Sequence, residues 1–339
     1  MINIIELNKK LLIDNLKKIG LDSNSKILSF SIYNKNYTRT ESIHNLFDSL
    51  NINYYIINYY PKNYFLRYFL SLFKLIKEVK NYDVVFVHFR GFEILPFIWI
   101  ISKIFRKKII FDHFISIWDT VCFDRGIIKA YGLVGRFLKL YDKILINLSD
   151  LVLLDTNSHL NFFIKELGLS ESKGGYLYVG CNEELFKPLD VKKFNKFTIF
   201  WYGNVQPIQG VDFILNVAKK LENHDDIEFV LVGPILRKLG INKYEYKNIQ
   251  FIEWLDYNKL PEYINKSHLC IGGHFSDIGK AKRVIAGKSF QFLSCGIPTI
   301  LADNEANREL FKEGDENIYF SVIGNMDKIV NLILNIKNN

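Results

Sequence analysis

The sequence predicts an α/β protein with two domains, each built on a parallel sheet. Its 339 residues are a length that suits two domains. Short apolar runs rich in Val, Ile, Phe and Tyr alternate with helix-length segments throughout the chain, as in strand–helix–strand units with right-handed crossovers. The composition agrees, because 49% hydrophobic and 24% charged residues are typical of a globular protein with apolar cores.

The first half opens with an amphipathic helix over residues 1–20, whose acidic residues exclude the apolar core of a secretory signal. Six strands are then predicted, over Lys26–Ile32, Tyr54–Asn58, Asp83–His88, Lys108–Asp112, Leu151–Asp155 and Tyr176–Tyr178. Helices are predicted between them over Phe65–Lys80, Phe92–Phe105 and Val134–Ser149. The most apolar window, Phe92–Phe105, is too short to cross a bilayer, so we expect a soluble or surface-bound protein.

The second half repeats this arrangement. Strands are predicted over Phe197–Gly203, Ile227–Gly233, Ile249–Trp254, Leu269–Gly272, Pro298–Ala302 and Ile318–Val322, with a helix over Val211–Leu221. Strands that end in Gly leave room for a ligand at the carboxyl edge of a sheet. The polar, basic segment after Pro188 separates a first domain, 1–188, from a second, 189–325, and a helix over 326–339 follows.

The net charge limits the kinds of partner that are expected, and the cysteines indicate the cellular compartment. A net charge of +8 is compatible with phosphorylated substrates, an anionic membrane or nucleic acid. The basic residues are dispersed and form no known nucleic-acid motif, which argues against nucleic acid. The four cysteines form no C-x-x-C pair, so we expect free thiols in a reducing cytoplasm.

Several cofactor sites are missing from the sequence. No Gly-x-Gly-x-x-Gly follows the first strand, where Ser31–Arg39 stands instead, so a nicotinamide dinucleotide is not expected. No Gly-Lys-Ser/Thr loop indicates ATP hydrolysis. The histidines lack metal-ligand spacing, and no Asp-x-Asp pair ends a strand, so we expect neither a cofactor nor a metal.

The most informative segment is Lys280–Pro298. We expect Gly287 to cap a helix that begins near Lys288 and ends at Gly296. A helix N-terminus offers N–H groups and a positive dipole end to a phosphate, and Arg283 and Lys288 add charge beside it. Gln291, three residues after Lys288 and on the same helix face, can hydrogen-bond a sugar hydroxyl.

The second half resembles the donor domain of retaining GT-B glycosyltransferases of family 4. The resemblance rests on Phe200–Asp212, with its Gly and Gly-Val-Asp, on Leu293–Ile300, and on Ala302–Leu310, Glu313–Asn317 and the helix from Met326. Asp83–His88, Ile109–His113, Ser149–Thr156 and Tyr178–Pro188 resemble the family more weakly. It implies two Rossmann-like domains facing each other across a cleft, a nucleotide-sugar donor on the second domain, retention of configuration, and a closing helix that returns toward the first domain.

This sequence departs from the family at its charged positions. Arg283 and Gln291 stand where the family has two glutamates, and Asn204 and Gln209 stand where it has a phosphate-binding Arg and Lys. Carried over position by position, the resemblance implies a donor site made of Gly203, Asn204, Gln209, Gly210, Arg283, Lys288 and Gln291. Arg283 and Lys288 would neutralise the diphosphate in this divergent member.

The first domain would supply the acceptor side. The segment Ile110–Arg125 starts at a strand end and is rich in polar groups. Asp112, His113 and Asp124 are candidates for orienting an acceptor hydroxyl or taking its proton, with Ser116, Asp119 and Arg125 as acceptor-side residues. The alternative is loop capping and an Asp124–Arg125 surface pair.

A basic aromatic helix over Lys62–Lys80 leaves two hypotheses open. The segment combines aromatic residues, namely Tyr64, Phe65, Tyr68, Phe69 and Phe73, with basic residues, namely Lys62, Arg67, Lys74, Lys77 and Lys80. Such a helix can lie on an anionic membrane, or it can be an ordinary helix packed on its sheet.

The leading hypothesis is therefore a cytoplasmic enzyme that moves a hexosyl group from a nucleotide-sugar to a hydroxyl of a glycan or lipid-linked acceptor in cell-surface polysaccharide or glycolipid synthesis. Two alternatives stay open: a nucleotide-sugar epimerase of the same fold, and an inactive binding or scaffold protein.

Overall fold

The computed structural model describes residues 3–34, 37–315 and 317–338. It divides the chain into two compact units, one from Asn3 to Gly180 and one from Cys181 onward. Lys35 and Asn36 of the loop Ser31–Arg39, and Glu316 of the segment Glu313–Asn317, lie outside the described residues. Each unit is a six-stranded parallel sheet with helices on both faces, which confirms the predicted α/β fold.

In the first unit the strands lie in the order β2-β1-β3-β4-β5-β6. They are β1 (Ile27–Ser31), β2 (Tyr54–Asn58), β3 (Val84–Val87), β4 (Lys108–Asp112), β5 (Leu151–Leu154) and β6 (Gly174–Tyr176). The helices are α1 (Ile4–Lys18), α2 (Thr38–Ser49), α3 (Tyr64–Glu78), α4 (Leu95–Ile104), the short α5 (Ile117–Asp119), α6 (Leu133–Leu148) and α7 (Asn157–Phe162).

Helices cover both faces of this sheet, so β3 and β5 are apolar at every position. On one face α1 and α2 pack on Ile27, Val84 and Ile110. On the other face α3, α4 and α6 bury Leu75, Ile98 and Leu145 against Leu28, Val85 and Ile109. These three helices follow β2, β3 and β4 in turn, and α4 packs against both α3 and α6.

In the second unit the order is β12-β11-β10-β7-β8-β9. The strands are β7 (Phe197–Tyr202), β8 (Ile227–Val232), β9 (Ile249–Ile252), β10 (Leu269–Ile271), β11 (Thr299–Ala302) and β12 (Ile318–Ser321). The helices are α8 (Val211–Lys220), α9 (Ile235–Leu239), α10 (Leu260–Lys266), α11 (Gly287–Ser294), α12 (Glu305–Leu310) and α13 (Met326–Asn338).

The unit boundary differs from the sequence-based position after Pro188. The chain divides at Gly180–Cys181, because Phe186 is fully buried in the core of the second unit beside Phe200 and Phe292. The closing helix, α13, packs on α8 through Ile329 and Ile333, which are fully buried in that unit's other core. Its predicted return toward the first domain stays a prediction.

The four cysteines are free thiols: Cys122 in the first unit, and Cys181, Cys270 and Cys295 in the second. No helix among the described residues is long and apolar enough to cross a membrane.

Candidate functional site

The carboxyl edge of the second sheet is lined by glycine. Gly203 follows β7 and Gly233 follows β8, and the two backbones touch. A Cβ on Gly233, whose φ is +143°, would lie 2.1 Å from the carbonyl oxygen of Gly203. Gly272 and Gly273 follow β10 in the same way. The residues that follow β7, β8 and β10 therefore carry no side chain, and a ligand can approach the backbone at these three strand ends.

Lys288 lies in the first turn of α11 and directs its amine to the end of β7. Nζ donates to the carbonyl oxygen of Tyr202 at 3.0 Å and to Oε1 of Gln209 at 2.7 Å. It also lies 4.1 Å from the centroid of the Trp201 ring. Burial lowers the pKa of this amine well below its ordinary value. Within the described residues no carboxylate pairs with it.

Gln291 lies almost one turn further along α11 and is held at the same strand end. Its Oε1 accepts a hydrogen bond from the hydroxyl of Tyr202, and its Nε2 donates to the hydroxyl of Tyr257 at 3.1 Å. Burial is the main reason that the pKa of Tyr202 is raised. The structure thus brings four of the predicted donor-site residues together: Gly203, Gln209, Lys288 and Gln291.

Sequence reasoning missed the residues that organise this group. Tyr202 and Trp201 precede the recognised Gly203 and could have been noticed from that position. Tyr257 lies in a turn after β9, and nothing in the sequence marks it. The helix start also differs by one residue: Ala286 is the N-cap and Gly287 is the first helical residue.

The remaining donor-site candidates are Asn204, Gly210 and Arg283. Asn204 is exposed. Gly210 precedes α8 with a φ of +66°, and a Cβ there would lie 2.3 Å from the carbonyl oxygen of Phe275. Arg283 is half-buried at the end of the 3-10 turn Gly279–Lys282, with Nη1 3.2 Å from the place of a Cβ on Gly279.

A cavity of about 570 Å³ opens at the same sheet edge, beyond the ends of β11 and β12. It is lined by Asp277, Lys282, Asp303, Asn304, Glu305, Arg308, Val322 and Ile323. Its size falls within the roughly 300–1,000 Å³ range of small-molecule sites. Asn304 Nδ2 donates to the carbonyl oxygen of Ala281 at 3.1 Å, which joins this cavity to the turn that precedes Arg283.

The carboxyl edge of the first sheet is closed by buried charges. Asp112, at the end of β4, is buried against Arg39 of α2, whose Nη2 donates to Oδ1 at 2.9 Å and whose Nε lies 3.3 Å from Oδ2. Arg39 also donates to the carbonyl oxygens of Leu154 and Leu177. Burial raises the pKa of Asp112 although Arg39 opposes it. The pair holds the ends of β4, β5 and the segment after β6 together, which favours a structural role for Asp112.

His113 and Ser116 meet at Asp142, which sequence reasoning missed. His113 is buried, and its Nε2 lies 3.4 Å from Oδ1 of Asp142. Ser116 donates to Oδ2 at 2.6 Å, as does the Trp118 amide at 3.0 Å. Burial would raise the pKa of Asp142, but His113 and these two donors outweigh burial and hold that pKa below its ordinary value. Asp142 lies inside the predicted helix Val134–Ser149, where no motif marks it.

The other acceptor-side candidates are capping and surface-proximal groups. The amide of Asp119 donates to Ser116 Oγ at 2.9 Å, which caps α5. Asp124 is buried, and its Oδ1 has no hydrogen-bond partner in the described part of the chain. Its Oδ2 lies 3.8 Å from Nε of the exposed Arg125. The Asp124–Arg125 pair is thus present, and Asp124 keeps one buried oxygen without a hydrogen-bond partner among the described residues.

Three further histidines lie around the first sheet: His44 on α2, His88 after β3 and His159 on α7. Ser29 Oγ lies 2.7 Å from Nε2 of His44 and 2.8 Å from Nε2 of His88. Burial lowers the pKa of His44 to about 4 and that of His88 well below its ordinary value. Beyond β5, His159 Nδ1 lies 2.6 Å from Asp155 Oδ1.

Known proteins resemble this chain in sequence and in fold. A family model described as "Glycosyl transferase-like" matches residues 212–337. Chitobiosyldiphosphodolichol beta-mannosyltransferase of Candida albicans is 23% identical over 312 residues, which cover 81% of this chain and 67% of that protein.

Two solved structures show the same architecture. HepE of Anabaena, in complex with UDP and glucose, superposes with a TM-score of 0.60 at 14% identity and covers 93% of this chain and 90% of that one. The catalytic domain of starch synthase IV from Arabidopsis thaliana, bound to ADP and acarbose, gives a TM-score of 0.67 at 11% identity and covers 94% and 93%.

The fold is therefore that of the GT-B glycosyltransferases, with two Rossmann-like domains. Together with the family model and the Candida relative, this makes the chain a glycosyltransferase.

Proposed function

We propose that this glycosyltransferase moves a hexosyl group from a nucleotide-sugar to a hydroxyl of a glycan or lipid-linked acceptor, in the cytoplasm and in the synthesis of a cell-surface polysaccharide or glycolipid. The solved structures named above hold UDP with glucose and ADP with acarbose. The name of the Candida relative specifies mannosyl transfer and a diphosphodolichol-linked saccharide. Membership of family 4, retention of configuration and independence from metals are proposed from the sequence resemblance alone.

The position of the Lys288 amine carries the donor half of the proposal. A buried amine without a carboxylate partner is costly in its charged form. A diphosphate at the glycine-lined edge beside Gly203 would supply the missing counter-charge. Gln209 stands where the family has a phosphate-binding lysine, and Lys288 Nζ lies 2.7 Å from its Oε1. The cationic group thus reaches the same place from α11.

The chain's own groups can then support departure of the nucleoside diphosphate. Lys288 and the first amides of α11 would stabilise the charge that develops on the leaving diphosphate. Arg283 would bind the diphosphate or the donor sugar from beside the 570 Å³ cavity. On the first unit, His113 and the free oxygen of Asp124 are the candidates that would orient or deprotonate the acceptor hydroxyl.

Calorimetric titration of UDP, GDP and ADP tests the donor site. Lys288→Met should weaken the best-bound nucleotide by roughly 1.5–3 kcal/mol, or about 10–150-fold. Lys220→Met is the matched control, because Lys220 is exposed at the last turn of α8 and pairs with Asp327 at 2.5 Å. A folded Lys288→Met protein that binds nucleotide as the wild type does would remove this amine from the site.

A second measurement distinguishes a binding role from a packing role. If the diphosphate restores the charge of Lys288, binding takes up as much as one proton. Titrations in two buffers with different heats of ionisation should then differ in apparent enthalpy, and the difference should vanish in Lys288→Met. Equal proton uptake by both proteins would contradict the proposal.

The product separates transfer from epimerisation and fixes the stereochemistry. A transferase releases free nucleoside diphosphate in proportion to acceptor, whereas an epimerase releases none. NMR of the new glycosidic bond shows whether the donor's anomeric configuration is retained, and an inverted product would overturn that part of the proposal.

A further inference from the structure

Three neighbouring helices of the first unit present apolar side chains on their outer faces. In α3 these are Phe65, Phe69, Phe73 and Ile76; in α4 they are Phe97, Ile100 and Ile104; in α6 they are Leu133, Phe137, Leu140 and Ile144. Within each helix the spacing is three or four residues, so each set forms one stripe. Leu133 is 88% exposed, Phe65 80% and Ile104 71%. We call these eleven side chains the outer face.

The three stripes belong to one layer of the fold. Because α3, α4 and α6 follow β2, β3 and β4, they lie on the same face of the sheet, and their inner residues share one core. The outer face is thus a contiguous array of large apolar groups. Scattered exposed apolar residues are ordinary, but a contiguous patch of this kind marks an interaction surface.

The positive charge of the protein is concentrated on the same part of the chain. The first unit carries 24 basic and 16 acidic side chains, whereas the second carries 20 of each, so the net charge of +8 resides entirely in the first. Residues 61–143 hold 15 basic and 7 acidic side chains, which again gives +8. Lys62, Lys77, Lys103, Arg106 and Arg136 of this segment are exposed.

The structure also corrects the sequence-based interpretation of α3. Arg67 is buried and donates to the carbonyl oxygens of Ile32 and Pro61. Lys74 forms an ion pair with Glu78 at 2.8 Å. Neither can face a lipid surface freely, so the charge available to a partner comes from Lys62 just before α3, from Lys77 on α3 and from basic residues on α4 and α6.

We propose that the outer face of α3, α4 and α6 binds the surface of an anionic lipid bilayer. Its aromatic and aliphatic groups would enter the acyl boundary while the basic residues meet acidic headgroups. A second copy of the chain is disfavoured as the occupant, because two faces with this excess of positive charge repel each other. The inference goes beyond the proposed peripheral location, since it names the surface, and it fits an acceptor that is itself anchored in a membrane.

The test is co-sedimentation of the full chain with vesicles. An equal mixture of phosphatidylglycerol and phosphatidylcholine should pellet the protein, whereas phosphatidylcholine alone should do so much less. Phe69→Ser, Ile104→Ser and Phe137→Ser together should reduce pelleting roughly tenfold or more. Lys77→Gln, Lys103→Gln and Arg136→Gln together should do the same on the anionic vesicles only.

Matched controls come from the second unit. Tyr244 and Trp254 are as exposed as the outer-face residues, and Tyr244→Ser with Trp254→Ser should pellet as the wild type does. So should a variant with Lys243, Lys247 and Lys312 changed to Gln.

UDP titration of every variant shows that the donor unit is intact and keeps this test separate from the proposed function. Wild-type protein that stays in the supernatant, or outer-face variants that pellet unchanged, would overturn the inference whatever the nucleotide result. A concentration-dependent dimer that only the outer-face variants abolish would also overturn it, in favour of self-association.

Discussion

The two sheets end in opposite ways. At the carboxyl edge of the first, three buried side chains each have a partner within about 3.5 Å. These pairs are Asp112 with Arg39, His113 with Asp142 and Asp155 with His159. At the carboxyl edge of the second, glycines follow β7, β8 and β10, and the amine of Lys288 has no carboxylate partner among the described residues. One architecture thus supports one edge whose charges are already paired and another where, in the proposed function, a diphosphate would pair with Lys288.

The largest expected effect comes from opening the first edge. Arg39→Met leaves Asp112 as a buried, unpaired carboxyl and removes the donors to Leu154 and Leu177, which should destabilise the first unit by about 3–5 kcal/mol. Urea unfolding followed by circular dichroism measures this effect. Arg39→Met combined with Asp112→Leu should recover much of the loss, because no unpaired charge remains. If the single and double variants are equally unstable, the ion pair is not what closes this edge.

The next largest effect comes from placing a side chain on the second edge. Gly233→Ala combines an unfavourable φ of +143° with a contact 2.1 Å from Gly203 O. We expect a loss of about 3 kcal/mol in stability, the sum of backbone strain and displacement, together with weaker UDP binding. Gly240→Ala is the control, since its φ of +65° is strained but nothing lies within 4 Å; it should cost about 1 kcal/mol. Equal losses would show that strain alone acts at Gly233.

The third prediction tests whether Arg283 contributes to anion binding at the second sheet. Arg283→Ala should weaken nucleoside diphosphate binding by roughly 1.5–3 kcal/mol, as expected for a lost charged hydrogen bond, with the melting temperature nearly unchanged. Isothermal calorimetry at one salt concentration measures it, and Arg237→Ala, an exposed residue paired with Glu253, serves as the control. Unchanged affinity would exclude Arg283 from the site and leave Lys288 as the cation on which the donor site depends.

The smallest expected effect is a loss of folding stability at acidic pH. Burial holds the pKa of His44 at about 4 in the folded protein, below the roughly 6.5 of an unfolded histidine. Between these values the unfolded chain binds more protons, so stability is complete above about pH 6.5 and falls as the pH approaches 4. At about 1.4 kcal/mol for each pKa unit, and with His44 partly exposed, we expect a loss of about 1–2 kcal/mol. His44→Gln should flatten the melting-temperature profile over that window; an unchanged slope would contradict this origin.

Most of the fold could be predicted because buried parallel strands produce unmistakable apolar runs. Tyr54–Asn58 and Lys108–Asp112 are predicted with their observed bounds. The sixth strand is wrong by two residues, because it begins with Gly174 and Gly175, which carry no β signal. Gly175 is required by packing: a Cβ there would lie 2.2 Å from the side-chain oxygen of Asn15. Such a contact between distant residues cannot be inferred from local sequence.

The candidate site was predictable in its residue types and less so in its connections. Positive charge beside a helix start pointed to Lys288, but the partners that orient it, Tyr202 and Trp201, depend on how β7 meets α11. Likewise, Asp112 looked available in the sequence because Arg39 lies 73 residues away. Pairings of this kind arise when the sheet order brings separate strand ends together.

The four free thiols can serve as probes of local unfolding in each unit. Burial raises the pKa of Cys181 and of Cys295 to about 12, and raises those of Cys122 and Cys270 as well. At neutral pH they are therefore protonated and unreactive toward alkylating agents while the protein is folded. The rate at which Cys122 is alkylated would report unfolding of the first unit, and the rate at which Cys270 is alkylated would report unfolding of the second. Mass spectrometry of a single sample could therefore measure the two unfolding rates separately.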